Sequence, residues 1–149
     1  MTILSIIDDS ESIEQIKKTI NIAEEMSQAY EEELVALNTT SNEEFLKQQQ
    51  GKTSITDVEA EPIDQYETEA AERAKTIVEQ VVDDSTNLTC VGRVGDPADR
   101  IVETGQKVDA RFIVISARRQ SPVGKVIFGS DTQSVLLNAD RPVVTVMKD

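Results

Sequence analysis

Short branched apolar runs along the chain alternate with longer stretches that are apolar on one side only. "TILSII" (2–7), "LVALNT" (34–39), "LTCVGRV" (88–94), "RFIVIS" (111–116) and "PVVTVM" (142–147) have the length and composition of buried strands. Between them, apolar residues return every three or four positions. Ile13, Ile16, Ile20 and Ala23, continued less strictly by Met26 and Tyr30, predict a first helix with acidic residues opposite. Asp9, Ser10 and Glu11 suit its first turn, where free N–H groups and the helix dipole favour oxygen and negative charge. Ile63, Tyr66, Ala70, Ala74, Ile77 and Val81 predict a second helix. A "GDP" turn (95–97) leads into a third over about 98–107, and Ser130–Leu137 reads as a fourth. Residues 40–62 are polar, with Ser, Asn and Gln and one Gly, and read as a mobile surface excursion with a short helix around Glu43–Gln50.

The order is thus β-α-β-α-β-α-β-α-β. Strands that are apolar on both faces and separated by helices predict a parallel sheet covered on both sides. Right-handed crossovers then give an open, doubly wound α/β sheet of five mainly parallel strands. No internal repeat and no dividing linker interrupts the 149 residues, so a single domain over 1–149 is expected.

Composition narrows the chemistry. The chain has no histidine and one cysteine, Cys90, which removes an internal disulfide framework and the usual zinc and Cys–His catalytic sites. A lone Cys in a predicted strand reads as core filling. The formal charge of −13 is unevenly spread: residues 1–110 hold 9 basic and 25 acidic side chains, residues 111–149 hold 6 and 3. So acidic a body argues against general binding of nucleic acid or anionic membrane, which requires Lys and Arg. It suits a cytoplasm of very high salt, where screening removes most self-repulsion, and points to a salt-adapted, archaeal-type source; the alternative is an ordinary acidic soluble protein. The first apolar run is too short for a signal peptide or a membrane span, so a cytoplasmic location is expected.

Ligands of doubly wound sheets sit beyond the carboxyl ends of the strands, where the strand order reverses. Those ends carry Asp8-Asp9-Ser10, Asn38-Thr39-Thr40 and Ser116-Ala117-Arg118-Arg119, and the last loop leads into Gly129-Ser130 at a helix start. Here are acids that can hold ribose hydroxyls and donors that can hold phosphate. A glycine before a helix lets phosphate approach the backbone, and the serine adds a donor. Helix capping alone is the competing reading of Asp8-Asp9-Ser10 and of Gly129-Ser130, and a solvated loop offsetting an acidic protein is that of the arginines. Two phosphate motifs are absent: Gly124-Lys125 is followed by Val126 where a Walker loop needs Ser or Thr, and no G-x-G-x-x-G follows the first strand. An acid pair after strand one also occurs in response-regulator receivers. Those need an Asp ending strand three and a Lys ending strand five, where this chain has "VGRVGDP" and a Lys148 next to its last residue.

"ILSIIDDSES", "VGDPADRIVETG" and "FIVISARRQSPVGKVIFGSDTQSVLLNADRPVVTV" together resemble the universal stress protein family. The agreement runs through nearly the whole chain and is weakest over 40–62; Phe128-Gly129-Ser130 with the "ADRPVVTV" close is its most specific part. The resemblance implies an adenine-nucleotide α-hydrolase-like fold and, in members that bind ATP, a G-x2-G-x9-G-[ST] pattern. Gly129 and Ser130 match that pattern, while its two earlier glycine positions hold Ser116 and Arg119. By similarity Asp8 faces the ribose and adenine side, Thr39 offers backbone to the adenine edge, and Gly129, Ser130 and the N–H of Asp131 meet the phosphates. Ser and Arg restrict the close approach that glycine permits. Arg118 and Arg119, in exchange, bring guanidinium forks suited to phosphate.

No residue set makes a convincing catalyst: there is no His base and no G-x-S-x-G elbow. Slow hydrolysis of ATP, with Mg²⁺ shared between phosphates and Asp8 or Asp9, is the most that the residues allow. Two readings stand. One is a stress-response protein that binds an adenine nucleotide (ATP, ADP or AMP); the other is a homodimeric interaction or protective protein that binds none. The resemblance implies dimerisation through the last strand, 142–147, under both. An apolar terminal edge strand would otherwise be exposed, and Pro142 at its start is tolerated.

Overall fold

The computed structural model describes residues 1–52, 63–84, 86–118 and 128–148, with the side chains of 48–52 excepted. In chain order the elements are β1 (Thr2–Ile7), α1 (Ile13–Tyr30), β2 (Glu33–Thr40), α2 (Asn42–Lys52), α3 (Ile63–Glu79), β3 (Leu88–Val94), α4 (Pro97–Lys107), β4 (Ala110–Ala117), α5 (Ser130–Asn138) and β5 (Val143–Met147). The five strands form one sheet in the order β3-β2-β1-β4-β5, and every pairing is parallel. The chain winds outward from β1 to β3, then crosses back to lay β4 on the other side of β1. The order reverses between β1 and β4, whose carboxyl ends lie side by side.

Residue parity decides which helices each strand meets. Leu4, Val35, Leu37, Ile113 and Ile115 face α4 and α5, packing with Ala98, Ile101 and Val135. Ile3, Ile7, Leu34, Ala36 and Val114 face α1 and α3, packing with Ile16, Ile20, Ala23, Ala74 and Val78. Helix α3 lies close on the sheet because Gly92 has no side chain: a Cβ there would stand 1.9 Å from the Glu67 carbonyl oxygen.

The element boundaries follow local chemistry. Ser12 caps α1, its Oγ accepting from Gln15 N at 3.2 Å. The helix thus begins at Ile13, not at Asp9–Glu11 as expected, and Asp8-Asp9-Ser10 is left as a free-standing turn. Asp96 caps α4 with Pro97 in its first turn, and Gly95 turns the chain at φ 141°, a conformation that favours glycine. The short helix expected near Glu43–Gln50 is α2; residues 53–62 of the polar excursion lie outside the described residues. Several stripe positions are corrected. Ile13 and Ile63 begin their helices, Tyr30 ends α1, and all three are exposed; α3 buries Val78, with Val81 beyond its end. Cys90 is only half-buried, because β3 is an edge strand, and desolvation raises its thiol pKa. Among the described residues no helix is long and apolar enough to cross a membrane.

Candidate functional site

The reversal between β1 and β4 opens a crevice beyond their carboxyl ends, bounded by the end of β2 and the first turn of α5. Its inner part is a hollow of about 300 Å³ with Ile6, Ile101, Ile115 and Val135 as apolar walls and Asn38 and Thr39 at one side. An adjoining outer hollow of about 330 Å³ is polar, bordered by Ser10, Glu11, Ser116, Arg118, Gly129 and Ser130. Asp8, Ser10, Glu11, Ser116, Asp131 and Thr132 line both, so that only Arg118, Gly129 and Ser130 belong to the outer hollow alone. The inner hollow thus has one apolar wall and is otherwise lined by polar and acidic side chains, an arrangement that can take a flat heterocycle against the wall and a polar tail outward.

Each side chain is held by its own local geometry. Asp8 Oδ1 accepts from Ser10 N at 3.0 Å and from Ser10 Oγ at 2.5 Å, closing the turn after β1. Asp9 pairs with Arg73 of α3 at 3.3 Å, and the same guanidinium donates to Thr40 Oγ1 at 3.3 Å. Asn38 is buried, its amide donating to Ala70 O at 3.1 Å, so its neighbour Thr39 alone presents a half-exposed edge. Gly129 sits before α5 at φ −60°, ψ 159°, with no side chain between the helix N-terminus and the outer hollow.

At the tip of β4, Ser116 Oγ accepts from Gln15 Nε2 at 2.8 Å and donates to Glu11 Oε2 at 2.7 Å. Gln15 is buried and its amide also donates to Val146 O at 3.2 Å. Burial raises the Glu11 carboxyl above its ordinary pKa; the Ser116 hydrogen bond, Arg118 and Lys148 oppose this, and Asp8 adds to it. Desolvation likewise raises the Asp131 carboxyl, helped by Asp96 and Asp8.

Of the residues expected at the site, Asp8, Asp9, Thr39, Ser116, Arg118, Gly129, Ser130 and Asp131 all border the crevice. Arg119 lies outside the described residues. Glu11 was not expected there, nor were Gln15 and Arg73 expected behind it, where they hold Ser116 and Asp9. Glu11 reads in sequence as a first-turn acid. The available hints are Ser116, a hydroxyl in an apolar strand, and Gln15, four residues on from Glu11 on the same helical face. Among the described residues no group of three or more acidic or sulfur side chains is arranged to hold a metal ion.

The model of the universal stress protein family matches residues 1–147 of the chain. The chain is 32% identical over 83 residues to the stress response protein NhaX of Bacillus subtilis, covering 56% of this chain and 48% of that protein. It therefore spans about half the length of that relative. A universal stress protein from Archaeoglobus fulgidus superposes with a TM-score of 0.64 at 22% identity, covering 97% of each chain. A universal stress protein structure from the same organism in complex with dAMP superposes with a TM-score of 0.59 at 18% identity, over 97% of this chain and 96% of that one. These superpositions share the parallel five-stranded sheet, and the match along the sequence carries the assignment: the chain belongs to the universal stress protein family.

Proposed function

We propose that the chain binds an adenine nucleotide in the crevice between β1 and β4 and acts in stress response as a homodimer whose ligand state biases a partner. One observation carries the reading. The tips of β1 and β4 are neighbours, so Asp8 and the Gly129–Ser130 helix start border one crevice with an apolar inner wall. The adenine goes against the apolar wall of the inner hollow, beside the backbone of Thr39. The ribose goes to Asp8, and the phosphate to the N–H groups of Gly129, Ser130 and Asp131 with Arg118 beside them. Mg²⁺, where a longer phosphate chain brings it, would be held by Asp8 or Asp9 together with the phosphates. The dAMP held by the Archaeoglobus fulgidus relative supports the choice of base.

The homodimer forms through β5, an edge strand whose outer side carries no partner strand among the described residues. The acidic surface supports a salt-adapted protein working in a cytoplasm, as one domain over the whole chain. The second reading, a homodimeric interaction protein that binds no nucleotide, is favoured by the hydroxyl network that fills the place of the first motif glycine at Ser116.

Ligand-stripped protein titrated with adenosine, AMP and ATP in KCl, with and without Mg²⁺, separates the two. A specific ligand at a hundred times its Kd stabilises the folded state by about 2.7 kcal/mol, which a melting curve resolves. Gly129→Val should abolish the shift, since valine accepts φ −60° and acts on ligand access, not on folding. Equal melting temperatures with and without millimolar nucleotide would refute the nucleotide reading and favour the second.

A further inference from the structure

We infer that Glu11 stands in the phosphate compartment as a built-in anion, and that Ser116 holds it there so that the crevice selects adenosine and its monophosphate over the triphosphate. This rests on the adenine reading above and adds the ligand's charge and length to it. Glu11 precedes α1, yet its carboxylate is turned to the tip of β4, where Ser116 gives it its single hydroxyl proton at 2.7 Å. That hydroxyl is itself fixed from behind by Gln15, which is buried and tied to β5 through Val146 O. The carboxylate is therefore anchored by three elements, not left to swing into solvent.

It borders the same hollow as Gly129, Ser130 and Arg118, the groups that would meet a phosphate chain. The charges facing Glu11 are Asp8 from the turn after β1, Arg118 beyond β4 and Lys148 beyond β5. Arg118 is the cation of this hollow that a phosphate chain would use, and its charge, with that of Lys148, already acts on Glu11. A half-buried carboxylate is less screened than a surface one, so each added phosphate charge meets repulsion that salt removes only in part. Adenosine brings no charge to this hollow and AMP a single phosphate, whereas a triphosphate sets its whole chain against the Glu11 carboxylate. Ser116 thus does more than replace a glycine: its hydroxyl positions the carboxylate.

The test measures binding of adenosine, AMP and ATP by calorimetry, without Mg²⁺, in the lowest KCl that keeps the chain folded. Wild type should bind AMP at least tenfold more tightly than ATP. Glu11→Gln keeps the side-chain shape and an acceptor for Ser116 and should narrow that ratio at least fivefold. Ser116→Ala, which keeps the carboxylate and removes its anchor, should narrow it by a smaller factor, and tests the same point if the first variant does not fold. A wild type that binds ATP as tightly as AMP refutes the inference. So does a ratio that both variants leave unchanged while adenosine still binds. If none of the three ligands binds any of the chains, the adenine reading itself fails, and the inference with it.

Discussion

Gly92→Ala tests how closely α3 is seated on the sheet. The added Cβ would stand 1.9 Å from Glu67 O, 2.7 Å from Ala71 N and 2.8 Å from Ala70 Cβ. The first two are backbone atoms, so no side chain can rotate away. Ordinary contact begins near 3.4 Å, and the helix must retreat by about 1.5 Å. The retreat acts on the residues that tether α3: Asn38 Nδ2 donates to Ala70 O at 3.1 Å, and Glu67 Oε2 accepts from Val94 N at 3.0 Å. Overpacking costs about 1–3 kcal/mol, and stranding the buried Asn38 amide adds about 1–3 kcal/mol. A loss of about 2–6 kcal/mol follows, a large share of the roughly 5–15 kcal/mol of a typical domain. Gly105→Ala is the control. Its Cβ meets only the far end of Ile113 at 3.0 Å, and it lies within α4. Alanine gains about 0.8–1 kcal/mol there over glycine in helix propensity, so the net change should fall within about 1 kcal/mol of zero. Urea unfolding followed by circular dichroism in KCl compares the two. A Gly92→Ala loss below about 1 kcal/mol at unchanged m-value would refute the account of the close approach. The loss should also reach the crevice, because α3 carries Arg73 to Asp9 and Thr40.

Three further outcomes are expected. Among the described residues nothing hydrogen-bonds the buried Ser5 Oγ, so Ser5→Ala should raise stability by about 1 kcal/mol in urea unfolding, and a loss would refute this. The Glu11 carboxyl is raised from 4.5 by burial, so its ionisation opposes folding: its contribution is harmless at low pH and destabilising once pH rises above that range. Unfolding free energies at pH 4 and pH 7 should show Glu11→Gln gaining on wild type at the higher pH, with Asp8, Arg118 and Lys148 unchanged around it. The opposite limb belongs to Glu32 and Asp109, lowered by their hydrogen bonds to Arg111 and Arg141, whose contribution is lost as pH falls. At β5, Lys148 N bonds Ala117 O and Pro142 O accepts from Ile113 N, so by alternation the N–H of Thr145 points away from the sheet. With the proposed homodimer formed through β5, Thr145→Pro should therefore give a monomer in sedimentation with the fold kept, and a dimer that persists in the variant would place the interface elsewhere.

The local pattern by itself determined the strands and helices to within a residue or two at most ends, because period two and period 3.6 are written in neighbouring residues. It determined the βα alternation and hence a parallel sheet, and it placed Asp8, Thr39, Ser116 and Gly129 at strand ends or a helix start. Periodicity names the face a residue turns to but not the neighbour it meets. That is why Ile13 and Ile63, in phase with their stripes, are nonetheless exposed beyond the edge of the packed surface. It is also why the Ser12 cap, one hydrogen bond to Gln15 N, moved the start of α1 away from Asp9. Only the tertiary structure decided that the strand order reverses beside β1, bringing Ser116 against Glu11 across 105 residues and Arg73 against Asp9 across the sheet edge. Charges and hydroxyls that meet over such separations leave no local signature, since what joins them is the route of the chain, set by the packing of both sheet faces at once.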